Sequence, residues 1–314
     1  MSSEILILDI HAHIYADHLA REFPGLRLHA AQERAEVPVD LSRIEALIAF
    51  GIAVDDDLMR RLDHLKWIQS LATGVDHFLR CPFLRPQTRI TSGRGIHGPS
   101  IREMVAYLLL SLSQNAKQRL ADQQGHVWQR RLWSVLCDKT AVLIGIGVAG
   151  TAIGELLKAF GMKVIGVTRT PRPIDGFDEI VSRERLTEAA AMADYLIGVL
   201  PGSADNIGAI SRDVFAAMKP SACFINVGRG ETVDEPALIA ALQSGRIAGA
   251  GLDVFQLEPL PQDSPFWDMA NVVICPHVGG YFVEYEDYIM PLVIGNMRHF
   301  LAGTYDEMRN IVPR

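Results

Sequence analysis

The sequence predicts an α/β protein built from two parallel-sheet domains. Three observations carry that expectation: short apolar runs alternate with longer segments of helical period, a glycine-rich turn directly follows one such run, and a turn-rich stretch separates two series of runs. Alternation of this kind is the βαβ pattern, in which a crossover helix returns the chain so that the next strand lies parallel to the last. The 314 residues, 49% of them hydrophobic, suffice for two cores in domains of roughly 100–200 residues each.

The first series opens at Ile5–Ile10 and continues at Ala46–Val54 and Trp67–Leu71. The last of these runs into ATGVDHF, where Ala72, Thr73 and Gly74 form a small-residue turn predicted to open a short helix, with exposed amides suited to an anion. SGRGIHGPS at 92–100 then precedes a long apolar helix over Ile101–Leu112 and marks the first boundary, near residue 99. A second series follows at Thr140–Ile144, Lys163–Thr168, Tyr195–Leu200, Cys223–Val227, Ala248–Val254 and Val272–Cys275. Six such strands make a dinucleotide-binding sheet. The last helical stretch, Glu284–Ala302, is apolar on one face and is expected to cross back to the first domain. The expected domains are therefore a discontinuous substrate domain, 1–98 plus 283–314, and a dinucleotide-binding domain, 99–282. Both are expected to be Rossmann-like or flavodoxin-like, with a cleft between them.

Net charge is −7 and the basic residues are scattered, so no surface for nucleic acid is expected. Cys81, Cys137, Cys223 and Cys275 lie far apart in apolar or strand-like surroundings and are expected to be buried free thiols. His11, His13 and His18 lack neighbouring cysteines or paired carboxylates in a ligand pattern, and no metal is expected. The N-terminal apolar run has no basic segment before it and is too short for a leader or a membrane span. A soluble cytoplasmic protein is expected.

VLIGIGVAGTAIG at 142–154 places Gly145, Gly147 and Gly150 in GxGxxG spacing directly after a strand, ahead of an Ala/Leu-rich helix expected over Ala152–Phe160. Gly145 permits the tight turn, Gly147 lets a pyrophosphate approach the backbone, and Gly150 lets helix and strand pack closely. The next strand ends in VTRTPRP. No carboxylate stands at its tip to grip a ribose 2′-hydroxyl; Thr168, Arg169, Thr170 and Arg172 offer hydroxyls and guanidiniums to a 2′-phosphate instead. NADP(H) is therefore expected over NAD(H), which remains possible.

The sequence resembles the D-isomer-specific 2-hydroxyacid dehydrogenases over nearly its whole length. The resemblance rests on the GxGxxG turn, LPGSADN at 200–206, MKPSACFINVGRG at 218–230, AGLDVFQLEPLP around Asp253 and Glu258, and CPHVGG around His277. It implies reduction of a small 2-keto acid such as glyoxylate or hydroxypyruvate to the D-2-hydroxy acid. That chemistry needs a hydride at C2, a proton for the resulting alkoxide, and a fixed carboxylate. The planar fork of Arg229 suits the carboxylate and keto oxygen, and only an imidazole such as His277 serves as acid in one direction and base in the other near neutral pH. Glu258, bonded to the second ring nitrogen, would favour imidazolium and fix the ring.

By the same resemblance, Ala72, Thr73 and Gly74 hold the substrate carboxylate opposite Arg229, and Asp253 bonds the nicotinamide carboxamide. Val148, Ala149, Leu200, Pro201, Val227 and Gly228 complete the cofactor contacts. The family commonly has Thr where this chain has Asn206. The region of Trp128 and Trp133 corresponds to one that packs against a second subunit in the family, which implies a homodimer. Two alternatives stay open: a nucleotide-sensing corepressor-like binding protein on the same fold, for which the short termini leave little appended chain, and a formate-type dehydrogenase.

Overall fold

The computed structural model describes residues 3–38 and 40–313. The chain divides into two compact units, Met1–Ile96 with Val283–Arg314, and His97–Phe282.

In the first unit the elements run β1 (Glu4–Leu8), α1 (Ala12–Glu22), β2 (Arg27–Ala31), β3 (Ile44–Ala49), α2 (Asp56–Arg61), β4 (Trp67–Ser70), α3 (Asp76–Arg80) and β5 (Arg89–Thr91). The strands pair in parallel in the order β2-β1-β3-β4-β5. This is the flavodoxin-like order, with its switch point between β1 and β3. Interior strands of a parallel sheet are covered on both faces and so read as unbroken apolar runs. Accordingly β1 and β4 are buried at every residue. Leu6, Leu8, Leu47, Ile68 and Ile90 pack on one face with Leu58 and Met59 of α2 and Phe78 of α3. The Asp55 carboxylate accepts from the Leu58 amide at 2.7 Å and caps α2, satisfying one of the orphan donors of its first turn.

The second unit contains α4 (Gly98–Ser113), α5 (Ala116–Gln124), β6 (Thr140–Ile144), α6 (Val148–Ala159), β7 (Lys163–Thr168), β8 (Glu179–Ser182), α7 (Leu186–Met192), β9 (Tyr195–Gly198), α8 (Arg212–Ala217), β10 (Cys223–Asn226), α9 (Glu235–Gln243), β11 (Gly249–Leu252) and β12 (Val272–Ile274). Its parallel sheet has the order β12-β11-β10-β9-β6-β7-β8. Counted from β6, this is the Rossmann order with one further strand at the edge, and the chain reverses direction between β6 and β9. Side chains alternate between the two faces. Val142 and Ile144 join the cluster that includes residues of α7, α8 and α9, while Ala141 and Leu143 join the one that includes Val105 and Leu108 of α4 and Ile153 and Leu157 of α6. Each fully buried Val, Leu or Ile among them contributes about 1.5–3 kcal/mol relative to exposure.

The chain then re-enters the first unit through α10 (Tyr285–Ala302), which Gly303 ends in a left-handed cap at φ 74°. Phe300 of this helix packs on Trp67 of β4 with ring centroids 5.3 Å apart. The terminal segment runs along β5, where the Val312 amide donates to Ile90 at 2.9 Å.

The two-sheet α/β architecture is the expected one, with corrections in detail. Strands β2, β5 and β8 were not expected, and the second sheet has seven strands rather than six. Helix α6 begins at Val148, so Val148, Ala149 and Gly150 form its first turn rather than a loop before it. The expectation of buried thiols holds for Cys275 but fails for Cys137, which is exposed in the turn before β6; Cys81 and Cys223 are partly buried, and all four are free. Among the described residues no helix is long and apolar enough to cross a membrane.

Candidate active site

In the second unit, the predicted residues lie at the C-terminal ends of strands, in the loops that leave them or, for Val148, Ala149 and Gly150, in the first turn of the helix that follows. The glycine turn follows β6. Gly145 adopts φ +100°, a conformation side-chain-bearing residues rarely enter. A Cβ on Gly150 would lie 2.4 Å from the Gly145 carbonyl oxygen, so the first turn of α6 sits directly on the strand end. Gly147 caps α6 without a side chain, and a Cβ there would meet nothing within 4 Å. The result is a helix N-terminus with open space before it, which suits a diphosphate.

Thr168 is the last residue of β7, and Arg169, Thr170 and Arg172 follow it on the surface. Arg169 Nη1 lies 3.4 Å from Asp205 Oδ2 in an exposed pair, the two side chains 72% and 73% accessible. Leu200 and Pro201 leave β9, and Asn206 fastens this loop: its Nδ2 donates to the Pro201 carbonyl at 2.9 Å and its Oδ1 accepts from Arg183 at 3.0 Å. The departure from Thr at this position is thus a buried structural amide. Val227 and Gly228 follow β10, with Gly228 so close to the backbone of Leu200 that a Cβ would come within 2.6 Å of its oxygen.

Arg229, Glu258 and His277 follow β10, β11 and β12, three adjacent strands, and the sheet order brings their loops side by side. The Arg229 backbone is tied down by Asn226 Nδ2 and Thr232 Oγ1, which donate to its carbonyl at 3.2 and 2.6 Å. Its Nη1 donates to the Gly228 carbonyl at 2.8 Å. Glu258 accepts from the Phe255 amide at 2.9 Å through Oε1, and its Oε2 lies 2.6 Å from His277 Nδ1. With an ionised carboxylate the bond requires Nδ1 to carry the proton, which directs Nε2 away from Glu258. Burial pulls the Glu258 carboxyl upward, but the His277 bond, the Phe255 amide and the Arg229 charge outweigh it, leaving the group below the ordinary carboxylate value.

The His277 backbone is left-handed, at φ 56°. Asp253, only 1% exposed, holds the loop beyond it: Oδ1 and Oδ2 accept from the amides of Val278 and Gly279, each at 2.9 Å. A further neighbour, His97, was not among the expected site residues. Burial pushes its imidazole down to about 4, and the Arg229 guanidinium pushes the same way, so His97 stays neutral. Its ring abuts Gly280, where a Cβ would lie 2.9 Å from Cδ2. Asn226, Thr232 and Asp253 bind backbone atoms here; Asp253 was an expected cofactor contact, whereas Asn226, the last residue of β10, and Thr232, in the turn after it, were not among the expected site residues.

Ala72, Thr73 and Gly74 belong to the first unit, in the bend between β4 and α3. The expected short helix begins only at Asp76, and the Ala72 amide already donates to Ser70 Oγ at 3.1 Å. Among the described residues no group of three or more His, Cys, Asp or Glu side chains is placed to hold a metal ion.

The Rossmann strand order, a glycine turn at its switch point and an arginine acting on a carboxylate–imidazole pair define a nucleotide-binding oxidoreductase. The model for "D-isomer specific 2-hydroxyacid dehydrogenase, NAD binding domain" matches residues 106–279. Glyoxylate/hydroxypyruvate reductase B of Yersinia pestis (strain Pestoides F) is 32% identical over 315 residues, covering 95% of this chain and 93% of that protein. A crystal structure of a D-isomer specific 2-hydroxyacid dehydrogenase family protein from Aeromonas salmonicida superposes with a TM-score of 0.92 at 31% identity, covering 100% of this chain and 99% of that one. An NADPH-dependent glyoxylate/hydroxypyruvate reductase from Sinorhizobium meliloti, in complex with NADP and sulfate, does so at 0.86 with 30% identity, covering 99% and 98%. The chain belongs to the D-isomer specific 2-hydroxyacid dehydrogenase family.

Proposed function

We propose that the protein is an NADPH-preferring reductase of small 2-keto acids, with glyoxylate and hydroxypyruvate as substrates and D-2-hydroxy acids as products. The observation that carries this reading is the 2.6 Å Glu258–His277 pair with Arg229 acting on it, in the same unit as the glycine turn. The names of the Yersinia and Sinorhizobium relatives support the substrate class, and the NADP complex supports the cofactor.

The backbone of Gly145–Gly150 at the start of α6 would hold the diphosphate, with Leu200, Pro201, Val227, Gly228 and Asp253 as further contacts. Thr168, Arg169, Thr170 and Arg172 would hold the 2′-phosphate. The Arg169–Asp205 pair does not preclude that role, because exposed pairs add little net stability and exchange readily for a more highly charged partner. A dinucleotide held there would supply the hydride. Arg229 binds the substrate carboxylate and keto oxygen in a fork, polarising the carbonyl. His277 Nε2 gives its proton to the alkoxide oxygen as the C–H bond forms at C2, and the Glu258 carboxylate stabilises the imidazolium that this requires. The turn Ala72–Gly74 supplies further donors to the carboxylate. The enzyme functions as a homodimer through the segment around Trp128 and Trp133.

Purified protein should oxidise NADPH with glyoxylate or hydroxypyruvate, and do so better than NADH. Absence of turnover across glyoxylate, hydroxypyruvate, pyruvate and bulkier 2-keto acids would remove the substrate assignment. An Arg169→Asp variant with an unchanged NADPH/NADH ratio of kcat/KM would remove the 2′-phosphate assignment.

A further inference from the structure

We propose that Tyr285, with Ser70, is a positioning residue that presets the turn Leu71–Gly74 and thereby sets the affinity for the keto acid. This rests on the reading of that turn as a carboxylate-binding element.

Strand β4 ends in Gln69 and Ser70, both fully buried, and the chain bends immediately afterwards. The groups that fix the bend have partners of fixed position. The Leu71 carbonyl accepts from the Tyr285 hydroxyl at the first residue of α10. The Ala72 carbonyl accepts from the Gly93 amide at 2.8 Å. Ser70 Oγ receives the Ala72 amide at 3.1 Å and lies within reach of the Ala72 and Gly74 carbonyls, at 3.1 and 3.5 Å. Gly93 is required by contact, since a Cβ there would lie 2.7 Å from the Leu71 oxygen. In a planar trans peptide the carbonyl and the following N–H point in opposite directions. Turning the Ala72 oxygen toward Gly93 therefore turns the Thr73 N–H the other way.

The bend is backed by a buried polar network. Gln69 Nε2 donates to the Ser70 carbonyl at 2.9 Å, and Gln69 Oε1 accepts from Thr91 Oγ1 and Asn296 Nδ2 at 2.8 and 2.9 Å. Trp67 Nε1 donates to Thr91 Oγ1, and Asn296 Oδ1 accepts from the Arg309 amide. Satisfied networks of this kind fix one geometry, whereas a missing member leaves a buried group unpaired. The bend is thus fixed by Ser70 and Gly93 nearby and by Tyr285, more than 200 positions later in the chain, with Asn296 holding Gln69 behind it. Tyr285 is 2% exposed, and its burial, together with the Asp9 and Glu286 carboxylates, pushes the phenol far above its ordinary value. It remains a donor at any working pH.

The carboxylate is chemically unchanged by the reaction, so donors that hold it act equally on bound substrate and transition state and appear in KM rather than kcat. Tyr285→Phe keeps the ring, which packs on Phe50 at 5.7 Å, and removes only the hydroxyl. The variant should raise KM for glyoxylate or hydroxypyruvate about tenfold, with kcat and the KM for NADPH within about twofold of wild type. Leu58→Ala, in the α2 face of the same unit's core, serves as the control for general destabilisation: it should lower Tm without moving KM. An unchanged keto-acid KM in Tyr285→Phe, or an equal rise in Leu58→Ala, overturns the proposal while leaving the proposed activity standing. Wild-type protein that turns over no 2-keto acid overturns both.

Discussion

Glu258 divides its carboxylate between the Phe255 amide and the His277 ring, and the division explains why its charge is retained. A carboxyl held below its ordinary value contributes its support above that ordinary value and loses it only as the pH falls through the lowered one. Activity should therefore show no loss attributable to Glu258 between about pH 5 and 8. Glu258→Gln keeps the shape and removes the charge. Its kcat/KM for keto acid reduction should fall on the order of a hundredfold across that whole window rather than at one end of it. Parallel pH profiles of the two proteins check this, and a variant within about twofold of wild type would show that the carboxylate charge has no part in proton transfer. At this scale the sequence exposed the residues whose chemistry is distinctive and hid those whose work is structural. Arg229, Glu258 and His277 stand out as types that bind carboxylates and move protons. Asn226 and Thr232 spend themselves on backbone atoms, and nothing in their neighbours' identities announces which atoms those are; Asp253 was legible as a site residue, but its bonds to the Val278 and Gly279 amides were not.

At the level of elements, the three loops meet because they follow β10, β11 and β12, neighbours in one parallel sheet. Order along the chain becomes adjacency in space, which is why widely spaced motifs can be assigned to one site from their succession in the sequence. The strands that escaped the sequence are β2, β5 and β8, all at sheet edges. An edge strand is covered on fewer sides, so RLHAA in β2 and EIVS in β8 carry polar residues that break the apolar run. Contacts between loops were equally hidden. Gly230 packs against the peptide after Phe255, where a Cβ would come 1.9 Å from the Phe255 carbonyl carbon and oxygen, too close for any rotamer to relieve. Gly230→Ala must push the Arg229 loop away from the Glu258 loop. It should cost at least about 1–3 kcal/mol of stability, as overpacking does, and reduce kcat/KM by more than the loss of folded protein explains. Thermal unfolding and assays at matched folded concentration measure the two effects, and wild-type values for both would mean that the two loops separate at no cost.

For the molecule as a whole, the feature that an isolated chain leaves unexplained is a concentration of exposed apolar side chains after α5. Trp128 is 92% and Leu132 95% exposed, and Val127, Trp133 and Val135 are exposed beside them in sequence. Single exposed apolar residues are ordinary, but a succession of large ones within one short segment is out of the ordinary and fits an association surface. The proposed homodimer would cover it. A closed twofold dimer uses the same patch on both copies, so each substitution acts twice, and a charge placed there meets its own copy or is buried without a partner. Trp128→Asp combined with Leu132→Asp should convert a dimer to a monomer. Sedimentation velocity at micromolar concentration should give twice the chain mass for wild type and the chain mass for the double variant. Because association stabilises the folded state by mass action, the wild-type Tm should rise with protein concentration and that of the double variant should not. A wild-type chain that sediments as a monomer at every concentration, with a concentration-independent Tm, would rule out self-association as the reason these tryptophans and leucines face water.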